Sequence, residues 1–137
     1  MGVVLEISSE VLRAILDEAV RDAEHEVCGL LFGTADRVTA MQSCRNVAAD
    51  TRTAFEIDPA ALIAAHRAAR SGGAQIAGCY HSHPSGAIEP SLRDAEAAVA
   101  DGSIWLIAGG RAVGCWRAVA RGEGHGRFDA VEYRVAE

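Results

Sequence analysis

The chain has 137 residues, half of them apolar and 23% charged, which suits one folded domain spanning 1–137 and excludes a disordered polymer. Its formal charge of −6 argues against a nucleic-acid partner gripped through phosphates, and its longest apolar runs fall far short of a membrane span. Met1–Glu6 lacks a basic, apolar leader, and Cys28, Cys44, Cys79 and Cys115 are scattered without a C-x-x-C pair, so they read as reduced thiols in a cytoplasmic protein.

Val3–Ile7 reads as a first strand. Ser8 or Ser9 can then cap a helix in which Val11, Leu12, Ile15, Leu16, Ala19 and Val20 recur at helical spacing, ending near Ala23 to His25. Val27–Phe32 is an apolar strand, Gly33–Asp36 a turn, and Arg37–Ser43 the returning strand of a hairpin. Asn46–Thr53 is polar and irregular, and Phe55–Ile57 a short strand. Asp58 and Pro59 start a helix that runs to about Arg70 and stops at Ser71-Gly72-Gly73. Gln75–Cys79 is an apolar strand, Leu92–Ala100 a helix, and Ile104–Ala108 a strand that turns at Gly109-Gly110 and pairs back through Ala112–Trp116. Arg121–Arg127 is flexible by composition, and Val131–Val135 closes the chain as a strand.

The chemistry gathers in Tyr80-His81-Ser82-His83-Pro84 and, six residues on, Pro90-Ser91-Leu92-Arg93-Asp94. On extended backbone, residues i and i+2 share a face, so His81 and His83 present two imidazoles to one spot. Asp94 is a possible third ligand. Two histidines and a carboxylate with an open fourth position make the ligand set of a catalytic zinc. Ser91 and Asp94 also fit a capping box, which would fix where the helix begins and thereby where Asp94 points. An isolated His-x-His is often a pair of surface histidines, but the whole pattern is far more specific than either half. His66 and His125 read as surface or loop residues.

This pattern resembles that of the JAMM metalloproteases, the zinc-binding members of the MPN-domain family. Glu26, followed at once by Val27-Cys28-Gly29-Leu30-Leu31, resembles the upstream glutamate and strand of that family, and Asn46 through Phe55–Pro59 resembles its middle section. The likeness extends from about Leu5 to Trp116 and is to the short prokaryotic members. It implies an α/β fold, a mixed curved sheet flanked by helices on both sides, with cytidine-deaminase-like architecture. Deaminase activity itself fits poorly, since this chain has neither His-x-Glu nor Pro-Cys-x-x-Cys.

The resemblance further implies one Zn2+ per chain on His81, His83 and Asp94, with Glu26 as general base and Ser91 donating to the oxyanion. His25 is the rival base. Ser82, facing away between the two histidines, is expected to support them. The implied reaction is hydrolysis of a peptide or isopeptide bond after the C-terminal Gly-Gly of a ubiquitin-like or β-grasp sulfur-carrier protein. The strand entering His81 is expected to offer the tail a free edge, with the loop from Ser85 to Pro90 as a wall. Two other readings are a catalytically silent MPN scaffold, disfavoured by the full set of site residues, and a zinc hydrolase of unrelated small peptides. Oligomeric state is not legible. All thirteen basic residues are arginine, which fits genomic base composition.

Overall fold

The structure, a computed structural model, describes residues 4–137. The elements in chain order are β1 (Leu5–Ser8), α1 (Ser9–Arg21), β2 (Cys28–Gly33), β3 (Arg37–Cys44), α2 (Pro59–Arg70), β4 (Ile76–Ser82), α3 (Leu92–Ala97), β5 (Ile104–Gly109), β6 (Ala112–Ala118), β7 (Phe128–Ala130) and β8 (Tyr133–Ala136). The expected start of the first strand at Val3 lies outside the described residues.

All eight strands join one sheet in the order β7-β6-β5-β4-β2-β3-β1-β8. The β2–β3, β2–β4, β5–β6 and β6–β7 pairs are antiparallel, while β1–β3, β1–β8 and β4–β5 are parallel. The sheet is mixed, as expected.

Alternation along the central strands sorts the core onto two faces. Leu31, Tyr80 and Leu106 belong to the cluster under α1, with Val11, Leu12 and Ile15. Their neighbours face the other way: Leu30 packs with Ala65 and Leu62 of α2, and Trp105 with Ala95 of α3. Helices therefore cover both faces. His81, two residues beyond Cys79, falls on the α2–α3 face.

α1 stops at Arg21, short of the expected Ala23 to His25, and the closing strand, β8, begins only at Tyr133, with the separate β7 before it; three further expectations differ. First, α3 ends at Ala97; Ala98 is extended (φ −68°, ψ 137°), and Val99 is 70% exposed. A further turn would bury nothing, and short helices persist through packing rather than propensity. Second, β4 is no edge. Its two ladders are filled by β2 and β5, and at Gly78 a Cβ would meet the Ile104 carbonyl oxygen at 1.8 Å. The near-continuous apolar character of Ile76–Cys79 is that of a strand covered on both faces. Third, Phe55–Ile57 makes only an isolated bridge, Asn46 to Ile57. At α2 the cap is as read, with Asp58 accepting from the Ala60 N–H at 3.1 Å. Ser8 precedes α1 without a side-chain cap bond. No helix among the described residues is long and apolar enough to cross a membrane.

Candidate metal centre

His81 is the penultimate residue of β4, and His83 lies just past its end. Their Nε2 atoms stand 3.1 Å apart. Asp94 comes from the first turn of α3, and its Oδ2 lies 3.0 Å from His81 Nε2 and 3.1 Å from His83 Nε2. Glu26 completes the group from the segment before β2. Ligand atoms of all four lie within 4.8 Å of one another, and all four residues are buried.

The capping box gives Asp94 its aim. Ser91 Oγ accepts the Asp94 N–H at 3.0 Å, and Asp94 Oδ2 accepts the Ser91 N–H at 2.9 Å. This fixes the carboxylate while Ser91 Oγ, acting there as an acceptor, keeps its own hydrogen. Pro84 through Pro90 forms a loop closed by the Gly86 N–H to the His83 carbonyl, 3.0 Å. Gly86 has φ +90°, a left-handed conformation suited to glycine. That loop brings the Ala87 carbonyl to 3.0 Å from His83 Nδ1.

The donor arrangement fits a cation. A carbonyl only accepts, so His83 Nδ1 carries a proton, and in the neutral ring Nε2 is then a lone pair. That lone pair faces Asp94 Oδ2, itself an acceptor. Two acceptors at 3.1 Å need a positive charge or a proton between them. The triangle of 3.0–3.1 Å sides is also close to the edge of about 3.3 Å that a tetrahedron with 2.0–2.1 Å ligand bonds would have. The buried His81 Nδ1 and Glu26 Oε1 have no hydrogen-bond partner among protein atoms.

The titration behaviour follows from burial and charge. Burial is the main influence on Glu26 and, opposed by His83 but aided by Asp94, raises its carboxyl to about 7. Burial pushes His81 below its usual value. It acts in the same sense on His83, but the bond and charge of Asp94 outweigh it and the net shift is upward. Burial would raise Asp94 too; the bonds and charges of the two imidazoles prevail and hold it well below the usual carboxylate range.

Ser82 points away from the histidines and serves a different neighbour from the one expected. Its Oγ accepts the Val27 N–H at 2.9 Å, and its own N–H donates to the Val27 carbonyl at 3.0 Å. It thus fastens the segment carrying Glu26 to β4. On the other side of that segment, Asn46 Nδ2 donates to the Glu26 carbonyl at 2.8 Å, and the Glu26 N–H donates to the Thr51 carbonyl at 2.7 Å. In the sequence Asn46 belongs to a polar, irregular stretch, and the likeness of that stretch to the family's middle section is its one signal. His25 stays outside the cluster, its Nδ1 2.7 Å from Asp22 Oδ1 near the surface. His66 and His125 are exposed and distant in the chain from the group.

A cleft of about 410 Å³ opens beside the centre. Glu26, His83 and Ser91 reach it, with Arg52 and Thr53 on one stretch and Pro84–Pro90 on another.

The model describing prokaryotic homologs of the JAB domain matches residues 8–121. A desampylase of Haloferax volcanii is 39% identical over 99 residues, covering 71% of each chain. A probable TtuB-protein conjugate cleaving protease of Thermus thermophilus is 34% identical over 93 residues, covering 68% of this chain and 62% of that one. The crystal structure of a JAB1/MPN domain protein from Archaeoglobus fulgidus superposes with a TM-score of 0.62 at 22% identity, covering 99% of this chain and all of the other. That likeness is one of fold.

Proposed function

This chain belongs to the prokaryotic JAB-domain (JAMM/MPN) family and is a hydrolase of that type; from this premise we propose that it is a zinc isopeptidase cutting after the C-terminal Gly-Gly of a ubiquitin-like or β-grasp sulfur-carrier protein. The observation that carries the reading is the convergence of Glu26, His81, His83 and Asp94 in one buried group beside an open cleft.

His81, His83 and Asp94 would hold the ion, one per chain. Zinc so bound supplies a water of near-neutral pKa and polarises the scissile carbonyl. Glu26 takes a proton from the attacking water and returns it to the leaving amine, a task suited to a carboxyl whose pKa burial has brought to about 7. Ser91 donates its free hydroxyl hydrogen to the oxyanion, while its oxygen keeps the cap. The Ala87 carbonyl holds His83 in the tautomer whose Nε2 lone pair points inward.

With β4 covered on both edges, the cleft lined by Arg52, Thr53 and the Pro84–Pro90 loop is the path we propose for the tail. A glycine-ended tail is suited to such a path because it brings backbone close without side chains. The names of the two curated relatives, a desampylase and a protease of TtuB-protein conjugates, support a protein-conjugate substrate.

The test compares an isopeptide-linked conjugate of a β-grasp carrier with one whose final Gly is replaced by Val. Cleavage of the first alone is expected. Equal cleavage of both would transfer the preference to a peptidase of unrelated small peptides.

A further inference from the structure

The three atoms that meet at the metal centre are not held in the same way. Asp94 is fixed by the Ser91 N–H, and His83 by the Ala87 carbonyl. His81 has no such bond: its Nδ1 is buried without a partner. Metal-binding histidines almost always secure the second ring nitrogen, because that bond sets the orientation of the ring.

In place of a hydrogen bond, His81 has aromatic neighbours. The Phe55 ring stacks on it with centroids 4.2 Å apart and planes 20° from parallel, and Trp105 meets its edge at 5.7 Å and 90°. Phe55 also meets Trp105 edge-on at 5.7 Å. Turning the His81 ring about its Cβ–Cγ bond would drive it into the Phe55 face.

Phe55 is itself secured. Asn46 Nδ2 donates to the Ala54 carbonyl at 3.1 Å, and Asn46 Oδ1 accepts the Glu56 N–H at 3.1 Å, bracketing Phe55 on both sides. The same amide nitrogen holds the Glu26 carbonyl.

We infer that Phe55 is a positioning residue for the metal centre, its stacked ring replacing the missing hydrogen bond in orienting His81. The inference rests on the metal reading above. Asn46 then places two parts of the site at once, the Glu26 segment directly and the His81 ring through Phe55.

The test measures zinc affinity by competition with a chromophoric chelator, and the visible absorption of the cobalt-substituted protein, in Phe55→Leu and Phe55→Tyr. Phe55 is only partly buried, and tyrosine keeps its flat face. Phe55→Leu should weaken zinc binding about 10–100-fold, the usual effect of removing a ligand's supporting partner, and change the cobalt spectrum. Phe55→Tyr should stay within about threefold and keep the spectrum. Circular dichroism of the metal-free proteins verifies equal folding; if Phe55→Leu does not fold, Phe55→Met is measured in its place. Unchanged affinity and spectrum in the aliphatic variant would overturn the inference, as would equal losses in Tyr and Leu. Failure of the unaltered protein to bind zinc would instead overturn the metal reading.

Discussion

Ser82 Oγ accepts the backbone N–H of Val27 at 2.9 Å, across 55 residues of chain, while the Ser82 N–H reaches the Val27 carbonyl at 3.0 Å. This reciprocal pair joins the strand that brings the histidines to the segment that brings Glu26. Ser82→Ala leaves a buried N–H unpaired, an omission worth about 1–3 kcal/mol. Urea denaturation should record that loss, and turnover should fall while zinc content stays at one per chain. Loss of zinc instead would place Ser82 behind the histidines.

Asp94→Ala and His83→Ala each remove one corner of the triangle and should lose most of the bound metal, read by elemental analysis after dialysis. Zinc binding should also release protons, because a metal-bound imidazole has to be unprotonated and Asp94, against the opposing effect of burial, raises the proton affinity of His83. Titration calorimetry in buffers of differing ionisation enthalpy measures the release. Full zinc retention by both variants would remove these residues from the ligand set.

In the metal-free protein, the Glu26 carboxyl is raised from 4.5 to about 7 by burial. The folded state therefore holds this proton more tightly than the unfolded state. The contribution is fully present below pH 4.5 and is lost as pH rises through about 7. Glu26→Gln cannot ionise, so the metal-free variant should be more stable than the parent above pH 7, by about 3 kcal/mol at most, and no more stable below pH 4.5. A difference independent of pH would show that Glu26 does not titrate with folding.

Ser91→Ala removes the side-chain cap of α3 and the proposed oxyanion donor together. Stability should fall by about 1 kcal/mol. The barrier should rise by about 2.7–4 kcal/mol. Metal should remain, since the bond from Ser91 to Asp94 Oδ2 comes from backbone. Ser91→Asp restores an acceptor for the cap but brings a negative charge to the oxyanion. Recovery of both stability and activity in Ser91→Asp would reduce Ser91 to a cap.

Local pattern carried much of this structure into view. The hairpin of β2 and β3, the Asp58-Pro59 helix start and the shared face of His81 and His83 all depend on residues close in sequence. The likeness to the family picked Glu26 over His25, and the structure brings only Glu26 into the buried group. The features without a local signal depend on distant partners. Nothing local in Asn46 shows that it will meet Glu26 twenty residues earlier, or in Phe55 that it will stack on His81. The parallel pairing of β1 with β8, joining the two ends of the chain, has no local signal either. The third turn expected of α3 fails for want of anything to pack on, which helical spacing alone does not reveal.

The central claim, hydrolysis driven by Glu26 at a zinc held by His81, His83 and Asp94, is tested most directly by Glu26→Gln. The measurement pairs zinc content with the rate of cleavage of a β-grasp carrier conjugate, for parent and variant, with and without a chelator. One zinc per chain in both proteins is predicted, with turnover in Glu26→Gln reduced by about a hundredfold or more, and parent activity abolished by the chelator and restored by zinc. Undiminished cleavage by zinc-loaded Glu26→Gln, or cleavage by the parent that survives complete removal of metal, would contradict it.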